Sequence, residues 1–525
     1  MAATVMAANA QQLSTEVVVD RNIVPEERVA VRPTWLMPVV VLPEASPIML
    51  TPVTYTALSP INRDYTAFSA AEGAFAAEKT PYRGYIGGGY FPTLDFGLSA
   101  GYRVIDKKNM TLAAHVQFDT ERYRPYGEPD DRGRQYFVDG NAGVDFAWRP
   151  KAGKELSASA GYNFLREKTT YWHPQNVNSG FFGIKWASES GKVPYSIGLR
   201  TNFESASDTY KYLVGLDEKA MIEGLNQQQM VVDGSVGYVF GASAIGVTLK
   251  ADMVHTSVEH SPTKGYFDFT PHYSYRNDRF AAHIGVKLDI SDSFGVMPDI
   301  RLQWMPVKVV GVWANVTGGS HSNTFASLRQ ESVYQVFEYQ YGVSRIPVEV
   351  NGGVNIGPFK GFHAGVFGGY AVADDWLMMR DGVYTAFGAV DVKGWHAGAK
   401  IGVEWRFIKG EVKADFAPSG YDSAWYERRD RASSVITANV ELTPLKPLTV
   451  RAGYEFRGGR KAYASPTVEV GLGCVSDLSA GAQWRFTDAL SVFAHVENIL
   501  GRRYMTVPWE PSRKVSGLVG VAYKF

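Results

Sequence analysis

The sequence predicts an all-β fold: a transmembrane antiparallel β-barrel of about 22 strands behind a short irregular N-terminal segment. The first observation behind this is a period-2 alternation of apolar and polar residues, repeated in stretches of about ten residues. That length spans a bilayer when tilted and is roughly twice that of a typical soluble strand. The second is that short turns alternate with longer polar or aromatic loops along the chain. The third is composition: 53 glycines and 13% aromatic residues suit many strands and tight turns better than helix bundles.

The remaining composition narrows the function classes. The 525 residues carry 20% charged side chains and a formal net charge of +0. No basic excess points to nucleic acid, so no nucleic-acid partner is expected. A single cysteine, Cys474, excludes an internal disulfide framework and a multi-thiolate zinc site. Mean hydropathy is −0.16, and no apolar run approaches the ~20 residues of a membrane helix. The longest candidate, Trp35 to Pro43, is interrupted by Pro38. A membrane barrel is compatible with that average, because only alternate residues face lipid.

Taken in chain order, residues 1–10 end in Ala8-Asn9-Ala10, the small-x-small pattern of a secretory signal cleaved near Gln11; an ordinary disordered start is the alternative. Residues 11–82 form a periplasmic or luminal segment. Pro25, Pro33, Pro38, Pro43, Pro47, Pro52 and Pro60 argue there for extended, irregular chain rather than a folded α/β unit.

The barrel is expected over 83–525. Within it, Phe280, Ala282, Ile284, Val286, Leu288 and Ile290 oppose His283, Lys287 and Asp289. Trp395, Ala397, Ala399, Ile401, Val403, Trp405 and Phe407 oppose His396, Lys400, Glu404 and Arg406. The stretches 448–457 and 478–486 repeat the pattern, with Arg451, Glu455, Arg457 and Arg485 on their polar faces. Charge on an inner face suits a wet lumen and is costly in a sandwich core. Lys400, Glu404, Arg406, Arg451, Glu455, Arg457 and Arg485 are therefore the candidate lumen-lining residues for binding or selectivity. Rings near the strand ends, such as Trp395, Trp405 and Phe407, suit the two membrane interfaces.

Short turns are expected at 105–109, 150–153, 189–192, 242–244, 277–278, 305–308, 358–361, 408–410, 444–447 and 487–488. Long loops include 121–135, 207–228, 320–340 and 419–433. Turn parity makes 384–392 a loop and leaves both barrel ends in the periplasm.

The last fifty or so residues carry a resemblance. A hairpin closed by Thr487-Asp488 is followed by an Asn-apolar-apolar segment running from Asn498 to Arg503-Tyr504. A proline-containing loop and a final strand ending in Phe525 complete it. This resembles the C-terminal end of TonB-dependent outer-membrane receptors. The resemblance implies a 22-stranded barrel in the cell outer membrane, in contact with its lipid, and a role in transport across that membrane. It implies that Val521, Tyr523 and Phe525 form the signal read by the barrel-assembly machinery. Thr15, Glu16, Val17, Val18 and Val19 resemble a TonB box, with a strand or anchor of another role as the alternative reading; the further expected partner is TonB or a surface lipoprotein. The family's plug of well over a hundred residues has no counterpart of that length in 11–82. The alternative function is a non-transporting structural or accessory barrel within an outer-membrane complex.

No P-loop, dinucleotide fingerprint, HExxH, CxxC or nucleophile elbow occurs, so neither an enzyme nor a cofactor nor a metal site is expected. Asp130-Asp131 and Asp374-Asp375 read as solvated turn acids rather than calcium ligands.

Overall fold

In a lipid core no water satisfies backbone N–H and C=O groups, so a sheet crossing it must close on itself. The computed structural model of the chain shows that closure. It describes residues 82–525 except 92–94, 124–134, 169–173, 189–190, 213–218, 223, 258–262, 330–341, 382–385, 421, 429, 466–467, 506–511 and 513–514. The signal-sequence reading of 1–10, the Thr15–Val19 stretch and all of 11–82 but Tyr82 lie outside the described residues.

The strands are β1 (Gly84–Phe91), β2 (Asp95–Lys107), β3 (Met110–Tyr123), β4 (Gln135–Lys151), β5 (Lys154–Lys168), β6 (Gln175–Ser188), β7 (Tyr195–Ala206), β8 (Thr209–Tyr212), β9 (Lys219–Ile222), β10 (Leu225–Phe240), β11 (Ser243–Thr256) and β12 (Lys264–Arg276). They continue with β13 (Phe280–Ile290), β14 (Phe294–Val307), β15 (Val310–Ser322), β16 (Val343–Phe359), β17 (Phe362–Asp381), β18 (Ala386–Trp405), β19 (Ile408–Phe416), β20 (Ser434–Leu445), β21 (Leu448–Ser465), β22 (Val468–Arg485), β23 (Leu490–Glu497) and β24 (Ser516–Lys524). β8 and β9 pair only with each other, as a hairpin in a long loop. The rest form one 22-stranded antiparallel sheet, in which sequential strands are neighbours and β1 pairs with β24. The expected strand number and fold are those observed.

The seam between β1 and β24 depends on Phe525. Its main-chain oxygen accepts from the amides of Arg83 and Gly84, both at 2.8 Å, and its amide donates to Gly84 O at 2.9 Å. Its ring stacks on Tyr102, centroids 6.1 Å apart. Gly84 leaves room for that ring, since a Cβ there would lie 2.7 Å from it.

The outer face follows the expected register. Val366 and Ile401 are 59% and 64% exposed to the barrel's surroundings, while Lys400 is half-buried on the opposite face. Phe362 and Trp405 meet edge to face at the turn end of their strands, and Tyr370 pairs in register with Trp395 at the other end of this apolar belt.

Two expectations are corrected. The turn placed at 408–410 is the tight turn Arg406-Phe407, and Ile408, Lys409 and Gly410 already pair in β19 with Trp405, Glu404 and Val403. The stretch 384–392 is not simply a loop: from Ala386 it is the far end of β18, running without a break into Trp395. The parity argument held because the segment joins an existing strand and adds none. Its alternation had the opposite polarity from a lipid-facing strand. Asp391 and Lys393 point outward and are exposed, whereas Val390 and Val392 point inward and are buried. At Trp395 the outward face turns apolar, so polarity inverts where the strand leaves the membrane.

Val366→Arg places a charge midway along the lipid-facing belt, where it costs about 2–4 kcal/mol. It should sharply reduce heat-modifiable barrel in the outer membrane, and Lys400→Gln should not. Equal membrane levels of the two variants would place the register one residue off.

Candidate functional site

The candidate site is the extracellular half of the lumen, into which long loops fold. After a bulge between Thr317 and Gly319, the end of β15 leaves strict register with β16. Lys287 of β13 donates to Gly318 O at 2.8 Å. The chain then enters a single helical turn, α1 (Phe325–Arg329). Thr324 caps it: its hydroxyl accepts from Ser327 N at 3.1 Å, and Ser327 Oγ accepts from Thr324 N at 3.1 Å. Phe325 N donates to Gln227 Oε1 of β10 at 2.7 Å. Phe325 packs on Val177, Ala206 and Leu225, while Leu328, one turn on, packs with Leu377, Leu472 and Tyr504. These two residues thus tie two stretches of inner wall together.

The second inward element is the connection 417–433 between β19 and β20. Its Trp425 ring stacks on His396 of β18 at 4.0 Å, and Tyr426 meets Trp376 of β17 edge to face at 4.7 Å. Tyr426 OH donates to Glu349 Oε2 of β16 at 2.8 Å. Arg428 pairs with Asp415 of β19 at 2.7 Å. Asp430 accepts from two arginines of β21: Arg457 at 2.6 and 3.0 Å, and Arg460 at 2.7 Å. Asp430 and Arg460 are buried. Burial alone would raise the Asp430 carboxyl, but the Arg457 and Arg460 charges and hydrogen bonds override it and hold the group well below the usual carboxylate range.

The third element follows β23. Asn498, at φ 45°, donates from Nδ2 to Arg502 O (2.8 Å), and its Oδ1 accepts from Arg502 N (3.1 Å). This closes the segment read from the Asn-apolar-apolar pattern. Tyr504 then turns inward and donates to Asp477 Oδ2 at 2.8 Å, and Arg460 donates to Met505 O.

The residues expected to line the lumen do not converge on one point. Lys400 stands on the inner wall, in register with Gly365 and Lys413. Glu404 pairs with Lys409 at 2.6 Å near the Arg406 turn. Arg451 pairs with Glu441 at 2.7 Å. Arg485 donates to Lys446 O at 2.6 Å beside a short turn. These four belong to the periplasmic half. Arg457 alone of the set touches the inward loop, with Glu455 3.7 Å from it.

Sequence reasoning missed Glu349, Trp376, His396, Asp415, Arg428, Asp430 and Arg460. The signal available was the run from Trp425 to Arg431, dense in rings and in both charges, which a loop reaching into water does not require. Its partners are ordinary inward-facing strand residues, and nothing in a single sequence aligns them with it.

No protein-family model matches the sequence, and neither does any curated protein. Solved structures do. The FrpB iron transporter from Neisseria meningitidis superposes with a TM-score of 0.65 at 12% identity, covering 86% of this chain and 82% of its own. The copper transporter OprC gives 0.62 at 8% identity, covering 84% of this chain and 81% of its own. The siderophore receptor PirA from Acinetobacter baumannii gives 0.61 at 7% identity, covering 84% and 80%. The likeness expected from the C-terminal pattern is therefore present at the level of fold: a large closed antiparallel barrel.

Asp430's folded pKa is depressed, so its contribution to stability is present above the unfolded value near ~4 and is lost only as pH falls through the lower folded value. The destabilisation caused by Asp430→Asn, measured by thermal unfolding in detergent, should therefore be the same at pH 7 and pH 5. A cost that shrinks markedly at pH 5 would mean Asp430 titrates there and is not held by the two arginines.

Proposed function

We propose that this chain is a TonB-dependent receptor-like barrel of the outer membrane that acts in transport. The observation that supports the reading best is a 22-stranded barrel with an apolar belt outside and charged walls within. A barrel of that size encloses a lumen its own wall side chains do not fill. The superposed structures named as transporters and receptors support the class, and their iron, copper and siderophore cargoes belong to them.

In this reading part of residues 11–82 lies in or across the periplasmic mouth. Arg21, Glu26, Glu27, Arg28 and Arg32 would face the charged wall that Lys400, Glu404, Arg451 and Arg485 provide. Single pairs in a wet lumen contribute little, so the apolar stretch from Trp35 to Leu42 supplies most of the hold, at about 25 cal/mol per Å² buried. Thr15 to Val19 would be the segment offered to TonB. Val521, Tyr523 and Phe525 would present the final strand to the barrel-assembly machinery.

Removing residues 11–60 should enlarge single-channel conductance in planar bilayers. Unchanged conductance would mean that the lumen is already open or is blocked by the inward-folded loops instead. The accessory-barrel alternative is favoured by the buried contacts that hold the loops inside the extracellular half. Purification from solubilised outer membrane separates the two: stoichiometric recovery with a surface lipoprotein or a larger assembly, together with no conductance in either form, would establish the accessory role.

A further inference from the structure

The contacts of residues 417–433 differ in kind from those of a loop resting on a rim. Both ends of the segment are tied at the barrel mouth, Ala417 N donating to Ser433 O at 2.9 Å. Between them the chain carries three polar anchors to separate strands: Tyr426 to Glu349, Arg428 to Asp415, and Asp430 to Arg457 with Arg460. Glu349 is 1% exposed. Removing one partner of such a buried pair leaves the other charge without compensation, so each anchor is cooperative with the loop's position.

A second feature is independent of charge. Lys393 N donates to Asp422 O at 3.1 Å, so the loop backbone lies directly on β18. The next residue is Gly394, and a Cβ there would overlap the Ala424 carbonyl. Gly394 is buried and lies within an unbroken strand, so its missing side chain serves the close approach of the loop rather than a turn. The contact surface is also dry: Val390, Val392, Ala424, Trp425 and Tyr426 are all buried in one cluster.

We propose that residues 417–433 form a latched gate on the extracellular side of the lumen, held by the Asp430–Arg457–Arg460 cluster and seated on the Gly394 surface of β18. Opening requires the loop to leave both. The β21 arginines are then the latch, and the bare backbone of Gly394 is the seat. The gate's role in passage rests on the transport reading above; its latching does not.

The test uses the full chain reconstituted in liposomes. Cys474→Ser removes the one native thiol, which is exposed, and Ala424→Cys places a probe where the native side chain is 1% exposed. The readout is its labelling rate by a membrane-impermeant maleimide. Two variants of unrelated chemistry are compared in this background, each first shown to be heat-modifiable: Asp430→Asn, which breaks the latch, and Gly394→Val, which wedges the seat. Each should label at least about tenfold faster than the parent, the change expected when a buried contact of this kind is lost. Unchanged labelling in folded Asp430→Asn and Gly394→Val overturns the gate. Faster labelling with a matching rise in single-channel conductance supports both the gate and the transport reading. Faster labelling with conductance unchanged supports the latch and contradicts the lumen as a route of passage.

Discussion

Everything in this molecule follows from one constraint: a backbone group in lipid must find its hydrogen bond within the protein. A sheet meets that demand only by closing. Closure here occurs between β1 and β24, where Phe525 exchanges main-chain hydrogen bonds with Gly84 and lays its ring against Tyr102. The opening residues of the barrel are shaped for it. Gly84 gives way to the Phe525 ring, and a Cβ on Gly520, opposite, would overlap the Gly88 carbonyl. Once the ring of strands is fixed, the period of two assigns each residue to lipid or lumen, and a slip by one would expose every inner charge to hydrocarbon.

Closing 22 strands creates a second problem, an interior wider than its wall side chains can fill. The extracellular half resolves it with chain that folds back inward. α1 joins two stretches of wall through Phe325 and Leu328. The segment 417–433 buries rings against β17 and β18, and Tyr504 closes over Asp477. Carrying charge into that space is costly unless each group is compensated. Several charges in that space are accordingly paired: Asp430 with Arg457 and Arg460, Arg428 with Asp415, and Arg345 with Asp289 at 3.0 Å. The periplasmic half is different in character. Its pairs, such as Glu404 with Lys409, are exposed and contribute to a polar wall more than to stability.

The barrel was legible in the sequence because lipid imposes a strict code. Between Trp395 and Trp405 every second residue meets hydrocarbon, and the alternation is unambiguous. The same code explains where legibility stopped. Beyond Lys393 the outside of β18 is water and its inside is a protein interior, so Val390 and Val392 reverse the pattern and the segment looks like a loop. Arg406 reads as a strand residue by alternation, yet a tight two-residue turn claims it, because Ile408 continues the pairing on the other side. The lumen site was hidden for another reason. Its contacts join Glu349, His396, Asp415 and Arg460 to one loop across strands far apart in sequence, and no local pattern carries such pairings. The seam was legible in part: Phe525 stood out by its position, but its fit against Gly84 and Tyr102 did not.

The polarity inversion on β18 can be measured directly. Single nitroxide labels placed in turn at 390 to 403, in protein reconstituted in bilayers, report collision with oxygen from the lipid phase and with a polar relaxant from water. Labels at 395, 397, 399, 401 and 403 should be accessible to oxygen, and that at 400 to the aqueous agent, while 396 lies beneath Trp425 of the inward loop. Toward 391 and 393 the outward positions should switch to aqueous access, while 390 and 392 should be shielded from both. Alternation that runs unchanged through 390, or no alternation at all between 395 and 403, would contradict a strand that crosses the membrane and then packs on an inward-folded loop.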